Sequence, residues 1–182
     1  MAILKIARLG HPILRKVAEP IAAEDITSPP IQRLIDDMIE TVIDADGAGL
    51  AAPQVHVSKQ LVILSLQDDE DLQVWINPVI SPDSDDYIVI YEGCLSVPGM
   101  RGAVARPDKI LVQALDRLGN AIELELEGMP AVVAQHECDH LNGILYVDRV
   151  MPRTLTFLDE YRRFGTWALD LDDDDDDQED ED

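Results

Sequence analysis

The stretch Gln135-His136-Glu137-Cys138-Asp139-His140 decides the reading of this chain. It lies in a segment with helical signals, Pro130 suiting a first turn and Gly143 the close of a last one. Between them Met129, Ala131, Val132, Val133, Ala134 and Leu141 make the helix apolar nearly all round, which predicts that it is buried. Residues four apart share one helix face, so His136 and His140 can grip a single metal ion. Glu137 is offset from that face by one residue, close enough to serve a water at the metal without being a ligand. Two His and a Glu in an apolar helix are costly to bury unless something satisfies them. For this motif alone, a pair of hydrogen-bonded core histidines is the competing reading.

Working outward, 182 residues with 46% hydrophobic content describe one globular domain able to bury a sizeable core. The opening Met1-Ala2-Ile3-Leu4-Lys5-Ile6 lacks a signal peptide's apolar run. No later run approaches membrane-spanning length, so a cytoplasmic location and no membrane association are expected. Cys94 and Cys138 are too few for a disulfide framework; Cys94 reads as functional and Cys138 as a small hydrophobe in the buried helix. The net charge is −23, and eleven of the 37 acids fall within Asp170–Asp182, which leaves 26 acids against 14 bases elsewhere. Such a balance excludes the basic stripe that direct DNA binding requires. Residues 170–182 can bury nothing and are expected to form a disordered acidic tail behind a single catalytic domain over 1–169.

Ahead of the motif, Ser28-Pro29-Pro30 opens a helix whose apolar face is Ile31, Leu34, Ile35, Met38, Ile39, Val42 and Ile43. Gly47-Ala48-Gly49-Leu50-Ala51-Ala52-Pro53-Gln54 follows, small residues that let backbone pass close to something. A phosphate-binding loop would need a preceding strand and a following Lys-Ser/Thr, and neither is present. Strands are predicted over 61–66, 74–80, 87–91, 109–116 and 121–126, with Leu118-Gly119-Asn120 turning a hairpin between the last two. Asp68–Asp71 reads as an acidic solvated turn. Leu155, Leu158, Tyr161 and Arg162 suggest a final helix reaching towards Trp167. His11 and His56 read as ordinary surface residues. This order predicts an α+β fold: antiparallel or mixed β-sheets packed around a buried central helix carrying the His-Glu-x-x-His motif, with an N-terminal and a C-terminal helix.

A catalytic metal site needs three protein ligands and an open position. His136 and His140 are two. The third is either Cys94, in Glu92-Gly93-Cys94-Leu95-Ser96, or Glu160, twenty residues past His140. Cys94 makes a Cys-His-His hydrolase, Glu160 a zincin-type metallopeptidase, and spacing alone leaves both open.

Taken together, Gly47–Gln54, Glu92–Ser96 and Gln135–His140 resemble the three signature motifs of the peptide deformylases, in the family's order and complete at every motif position. Size and spacing resemble the bacterial type that ends in a C-terminal helix. The resemblance implies a hydrolase that removes the formyl group from the N-terminal formylmethionine of new polypeptides and releases formate. It implies Cys94, His136 and His140 as ligands of one divalent ion, Fe(II) in the cell, with Ni, Co or Zn able to substitute. Glu137 would move the proton, while the Gln54 amide and the Leu95 backbone N–H would stabilise charge on the formyl oxygen. Gln135 and Asp139 would orient ligands. By motif position Ala48, Gly49 and Gly93, with Val133 one turn before Glu137, would border the methionine pocket, so that Gly49→Leu should raise KM. Arg101, just after the Cys motif, reads equally as a partner for a peptide carboxylate or carbonyl and as an ordinary surface residue. Members of this type often end in a basic helix suited to ribosome contact, and the charge of Asp170–Asp182 argues against docking through that end here.

Overall fold

The computed structural model describes residues 2–66 and 72–165. The turn at 68–71, the reach of the last helix to Trp167 and the tail at 170–182 lie outside them. In chain order the regular elements are α1 (Pro29–Asp44), β1 (Gly49–Ala51), β2 (Leu61–Leu64), β3 (Gln73–Pro82), β4 (Tyr87–Cys94) and β5 (Val97–Pro107). They continue with β6 (Lys109–Leu115), β7 (Ala121–Glu127), α2 (Met129–Leu141), β8 (Thr156–Phe157) and α3 (Leu158–Phe164). The architecture is α+β, with a five-stranded sheet in the order β1-β2-β3-β6-β7 and a three-stranded sheet β4-β5-β8. Every pairing between named strands is antiparallel.

Helix α1 starts at Ser28 with Pro29 and Pro30 in its first turn, where a missing N–H breaks no helical bond. Ile35, Met38 and Val42 are buried at helical spacing, whereas Ile43 is 67% exposed because it falls one residue past that face. The five-stranded sheet is covered on both sides, and β2 shows how. Leu61 and Ile63 join the α1 cluster with Met38 and Val42. Val62 and Leu64 point the other way, into a cluster with Trp75, Ala131, Ala134 and Leu141 of the α2 side. All four are fully buried, and each such burial contributes about 1.5–3 kcal/mol. This explains why β2 is continuously apolar, while β7, with Ile122, Leu124 and Leu126 half-buried and Glu123, Glu125 and Glu127 exposed, alternates. Helix α2 also touches β5 of the smaller sheet, so it lies against both sheets.

The sequence reading misses β5. Pro98, Gly99, Gly102 and Pro107 punctuate it like a loop, yet it pairs with β4 from Tyr87↔Pro107 to Cys94↔Val97. The prolines lie near its ends, and Gly102 is there to admit a neighbour, since a Cβ would come within 2.3 Å of Val150 Cγ2. Strand β1 is likewise new, a three-residue edge paired to β2 within the small-residue stretch. The β6–β7 hairpin is present, and Asp116 Oδ1 accepts from Leu118 N (2.7 Å) and Asn120 N (2.8 Å). In β3 a bulge at Asn77 (φ 52) frees its side chain to bond Ile21 N and O, both at 2.8 Å, anchoring the extended N-terminal segment.

Gly143 closes α2 in the left-handed region (φ 72), and a Cβ there would lie 2.8 Å from the Arg15 carbonyl carbon. Gly143→Ala is therefore expected to cost roughly 2–4 kcal/mol in urea unfolding. Gly10→Ala, also at positive φ (99) but in open space, should cost only about 1 kcal/mol. Equal losses would show that the Arg15 contact contributes nothing.

Candidate metal centre and active site

Three pieces of chain meet at one point. Helix α2 supplies His136, Glu137 and His140, all buried. Cys94 ends β4, just before the two-residue turn into β5. Gln54 sits in the 3-10 turn Ala52–Val55 that follows β1. Ligand atoms of Cys94, His136 and His140 lie within 4.8 Å of one another, the one such convergence among the described residues. Cys94 Sγ is 3.3 Å from His140 Nε2. His136 turns Nδ1 to Glu92 Oε2 at 2.7 Å, which leaves its Nε2 for the centre. Burial, with His136 nearby, holds the His140 pKa well below its usual value, so this imidazole is neutral, the form that binds metal. A cysteine and two imidazoles, with no fourth such ligand among the described residues, suit a catalytic metal site with an open position.

Glu160, the competing third ligand, is exposed on α3 and is not part of this convergence. The metallopeptidase reading built on it is therefore not favoured. Cys138, expected to be a buried hydrophobe, is only half-buried and faces a different cavity with Arg149 and Asn142.

Gln54 is held rather than free. Its Oε1 accepts from Ala51 N (2.7 Å), and its Nε2 donates to Ser96 Oγ (3.2 Å) and approaches Cys94 Sγ (3.5 Å). Glu137 fits only because Gly49 has no side chain, since a Cβ there would meet Glu137 Oε1 at 2.6 Å. Burial pushes the Glu137 carboxyl up to about 7, and its Oε2 has no hydrogen-bond partner among the described residues. The small-residue stretch is thus the backbone that makes room for an acid of α2.

Behind the ligands runs a chain of buried charge that the sequence does not announce. Glu92 binds His136 and, through a bidentate pair, Arg106 of β5. Arg106 NH1 also donates to Asp139 Oδ2 (2.8 Å), and Arg149 grips both oxygens of Asp139 at 2.7 Å. Burial alone would raise the Glu92 pKa, but hydrogen bonds from His136 and Arg106 bring it below the usual carboxylate value. Asp139 therefore acts on the centre through Arg106. Gln135 bonds the Pro107 and Ala131 carbonyls instead, tying α2 to the end of β5. Arg106 escapes notice in sequence because Ala105-Arg106-Pro107 resembles an exposed turn; its one signal is an inward position in an alternating strand.

A cavity of about 430 Å³ opens in front of the centre. Ala48, Gly49, Gly93 and Val133, expected around a methionine side chain, all line it, together with Gln54, Leu95, His136 and Glu137. Leu158 at the start of α3 supplies a wall the sequence reading did not assign. The Arg101 guanidinium lies against Gly93, where a Cβ would come within 2.6 Å of it.

An α+β fold that brings three ligand atoms and a buried carboxylate to the back of a cleft is the construction of a metal-dependent hydrolase. Residues 3–155 match the family model of the polypeptide deformylases. A peptide deformylase of Leptospira biflexa is 46% identical over 161 residues, covering 82% of this chain and 89% of the relative. One from Pseudomonas aeruginosa is 48% identical over 149 residues, covering 81% and 87%. A crystal structure of the class I type b enzyme of Acinetobacter baumannii with Met-Ala-Ser bound superposes with a TM-score of 0.79 at 37% identity, covering 82% of this chain and 99% of that one. The chain belongs to the polypeptide deformylase family. Its reaction is the metal-dependent hydrolysis of a linear formamide, taking the formyl group from N-terminal formylmethionine as formate.

Glu92→Ala would leave His136 Nδ1 without its acceptor and Arg106 with half its compensation. Metal retention against a chelator is expected to fall about 10–100-fold, with a stability loss of roughly 3–5 kcal/mol. Unchanged retention would remove Glu92 from the support of the centre.

Proposed function

We propose that Cys94, His136 and His140 hold one divalent ion, Fe(II) in the cell with Ni, Co or Zn able to replace it, and that Glu137, Gln54 and Leu95 carry the chemistry. The observation that carries this reading is the convergence of the three ligand atoms beside a buried Glu137 at the head of the cavity. Held by Cys94, His136 and His140, such an ion would supply Lewis acidity, making a water easier to deprotonate and polarising the formyl oxygen. Glu137 takes the proton from the water that adds to the formyl carbon. It returns that proton to the departing amine, so that water and formamide become formate and a free N-terminus. A carboxyl with its pKa near 7 suits both halves of this exchange at neutral pH. As negative charge grows on the formyl oxygen, the Gln54 amide and the Leu95 N–H donate to it. The hydrogen bond from Ala51 N to Gln54 Oε1 keeps the amide nitrogen turned towards the centre, so little reorganisation is needed.

Ala48, Gly49, Gly93 and Val133 border the slot for the methionine side chain, and the rest of the peptide leaves through the cavity mouth near Arg101. A formylmethionyl peptide is the substrate; the Met-Ala-Ser held by the Acinetobacter enzyme supports this. Residues 1–169 act as one catalytic domain in the cytoplasm, a location compatible with the absence of any membrane-crossing helix among the described residues. Ribosome docking through the C-terminal end is disfavoured by the charge of residues 170–182.

The test is formate release from formyl-Met-Ala-Ser, run anaerobically with iron- or nickel-loaded protein. Glu137→Ala should lower kcat at least 100-fold while the metal is retained. Cys94→Ala should lose the metal, and Glu160→Ala should keep both metal and activity. Retained metal in Cys94→Ala would refute the ligand assignment. Gly49→Leu should reduce kcat as well as raise KM, because its side chain would displace the Glu137 carboxylate; a change in KM alone would contradict this placement.

A further inference from the structure

Leu95 and Pro98 line the catalytic cavity on one side and a second cavity of about 720 Å³ on the other. The second one is walled by the N-terminal segment, the end of α1 and the edge-to-face pair His11 and His56, whose ring centroids are 4.7 Å apart. Its charged lining is Lys5 and Arg8 against the single carboxylate of Asp44. Lys5 and Arg8 are exposed, and among the described residues neither makes an ion pair. Two cations without an ion pair thus line one cavity of a chain whose net charge is −23.

We infer that this second cavity receives the part of the polypeptide substrate downstream of the formylmethionine and favours acidic side chains there. The inference rests on the deformylase reading of the neighbouring site and extends it from the first residue to those that follow. A polypeptide with its N-terminus at the metal centre must leave the first cavity through its mouth, and Leu95 and Pro98, which line both cavities, place the second one next to that exit. The cations are held in register with the centre by backbone bonds. Ala7 N donates to Gln54 O and Leu9 N to Ser96 O, both at 2.7 Å, so Lys5 and Arg8 flank residues tied to the two loops that carry Gln54 and Cys94. Lys5 and Arg8 outnumber the one carboxylate in the lining, so an acidic segment seated there gains local attraction in a chain of net charge −23.

The experiment compares kcat/KM of the metal-loaded full chain on three substrates. They are formyl-Met-Ala-Ser, the same peptide extended by four residues rich in Glu, and the same peptide extended by four rich in Lys. At low salt the Glu extension should show a KM about fivefold below that of the Lys extension. The gap should close in 0.5 M salt, as expected for two exposed charge contacts. In the double variant Lys5→Glu/Arg8→Glu the preference should vanish or invert, while turnover of formyl-Met-Ala-Ser stays as in the parent and reports an intact fold. Equal KM for the two extensions, or a Glu preference that survives the double variant, would overturn the inference and leave the deformylase reading standing. Absence of turnover on formyl-Met-Ala-Ser would overturn both.

Discussion

Glu92 accepts from two partners of different kinds, the imidazole of a ligand on α2 and the guanidinium of Arg106 on β5. None of these groups is tolerable alone in a dry interior, because an unpaired buried charge or donor costs several kcal/mol. Together they form a line from His136 through Glu92 and Arg106 to Asp139, which returns to α2 three residues after His136, with Arg149 closing the outer end. The line clamps helix to sheet at the height of the ligands. Replacing such a network with apolar residues often leaves stability unchanged. Its contribution here is to direction: it points Nε2 of His136 into the centre and keeps the ring from turning.

The rest of the architecture makes that clamp possible. An apolar helix covered by sheets on both sides excludes water, which strengthens every pairing inside it. The same exclusion raises the Glu137 pKa, so one constraint both anchors the ligands and tunes the acid. Glu137 gains space from Gly49, and Gln54 gains orientation from Ala51 N. The Gly47–Gln54 stretch therefore works as backbone, with the Gln54 side chain as its one chemical group.

The sheets bring distant parts of the chain to one point. Cys94 reaches His140 because the β4–β5 hairpin turns immediately after it, and α2 touches β5. The N-terminal segment, extended and without a core of its own, is fastened to Gln54 and Ser96 by backbone bonds. That fastening joins the loops carrying Gln54 and Cys94 to the wall of the second cavity that carries Lys5 and Arg8.

By itself the sequence determined the buried helix, its two histidines and neighbouring acid, the alternating strand β7 and the amphipathic helix α1, because each is a periodic pattern written over a few adjacent residues. Matched motifs also made the family legible. By spacing alone Cys94 and Glu160 are equally possible as the third candidate ligand; the motif resemblance points to Cys94, and the β4–β5 hairpin is what carries its Sγ to His140. Tertiary structure alone decided β5, where glycine and proline look like loop residues until Val150 is seen occupying the space at Gly102. Arg106 and Arg149 were illegible for a related reason. A charged side chain reads as solvated from local pattern. The burial of Arg106 is tolerated only because partners 14 and 33 residues away in sequence fold against it, whereas Arg149 stays exposed and its pairing with Asp139 depends on the turn that follows α2.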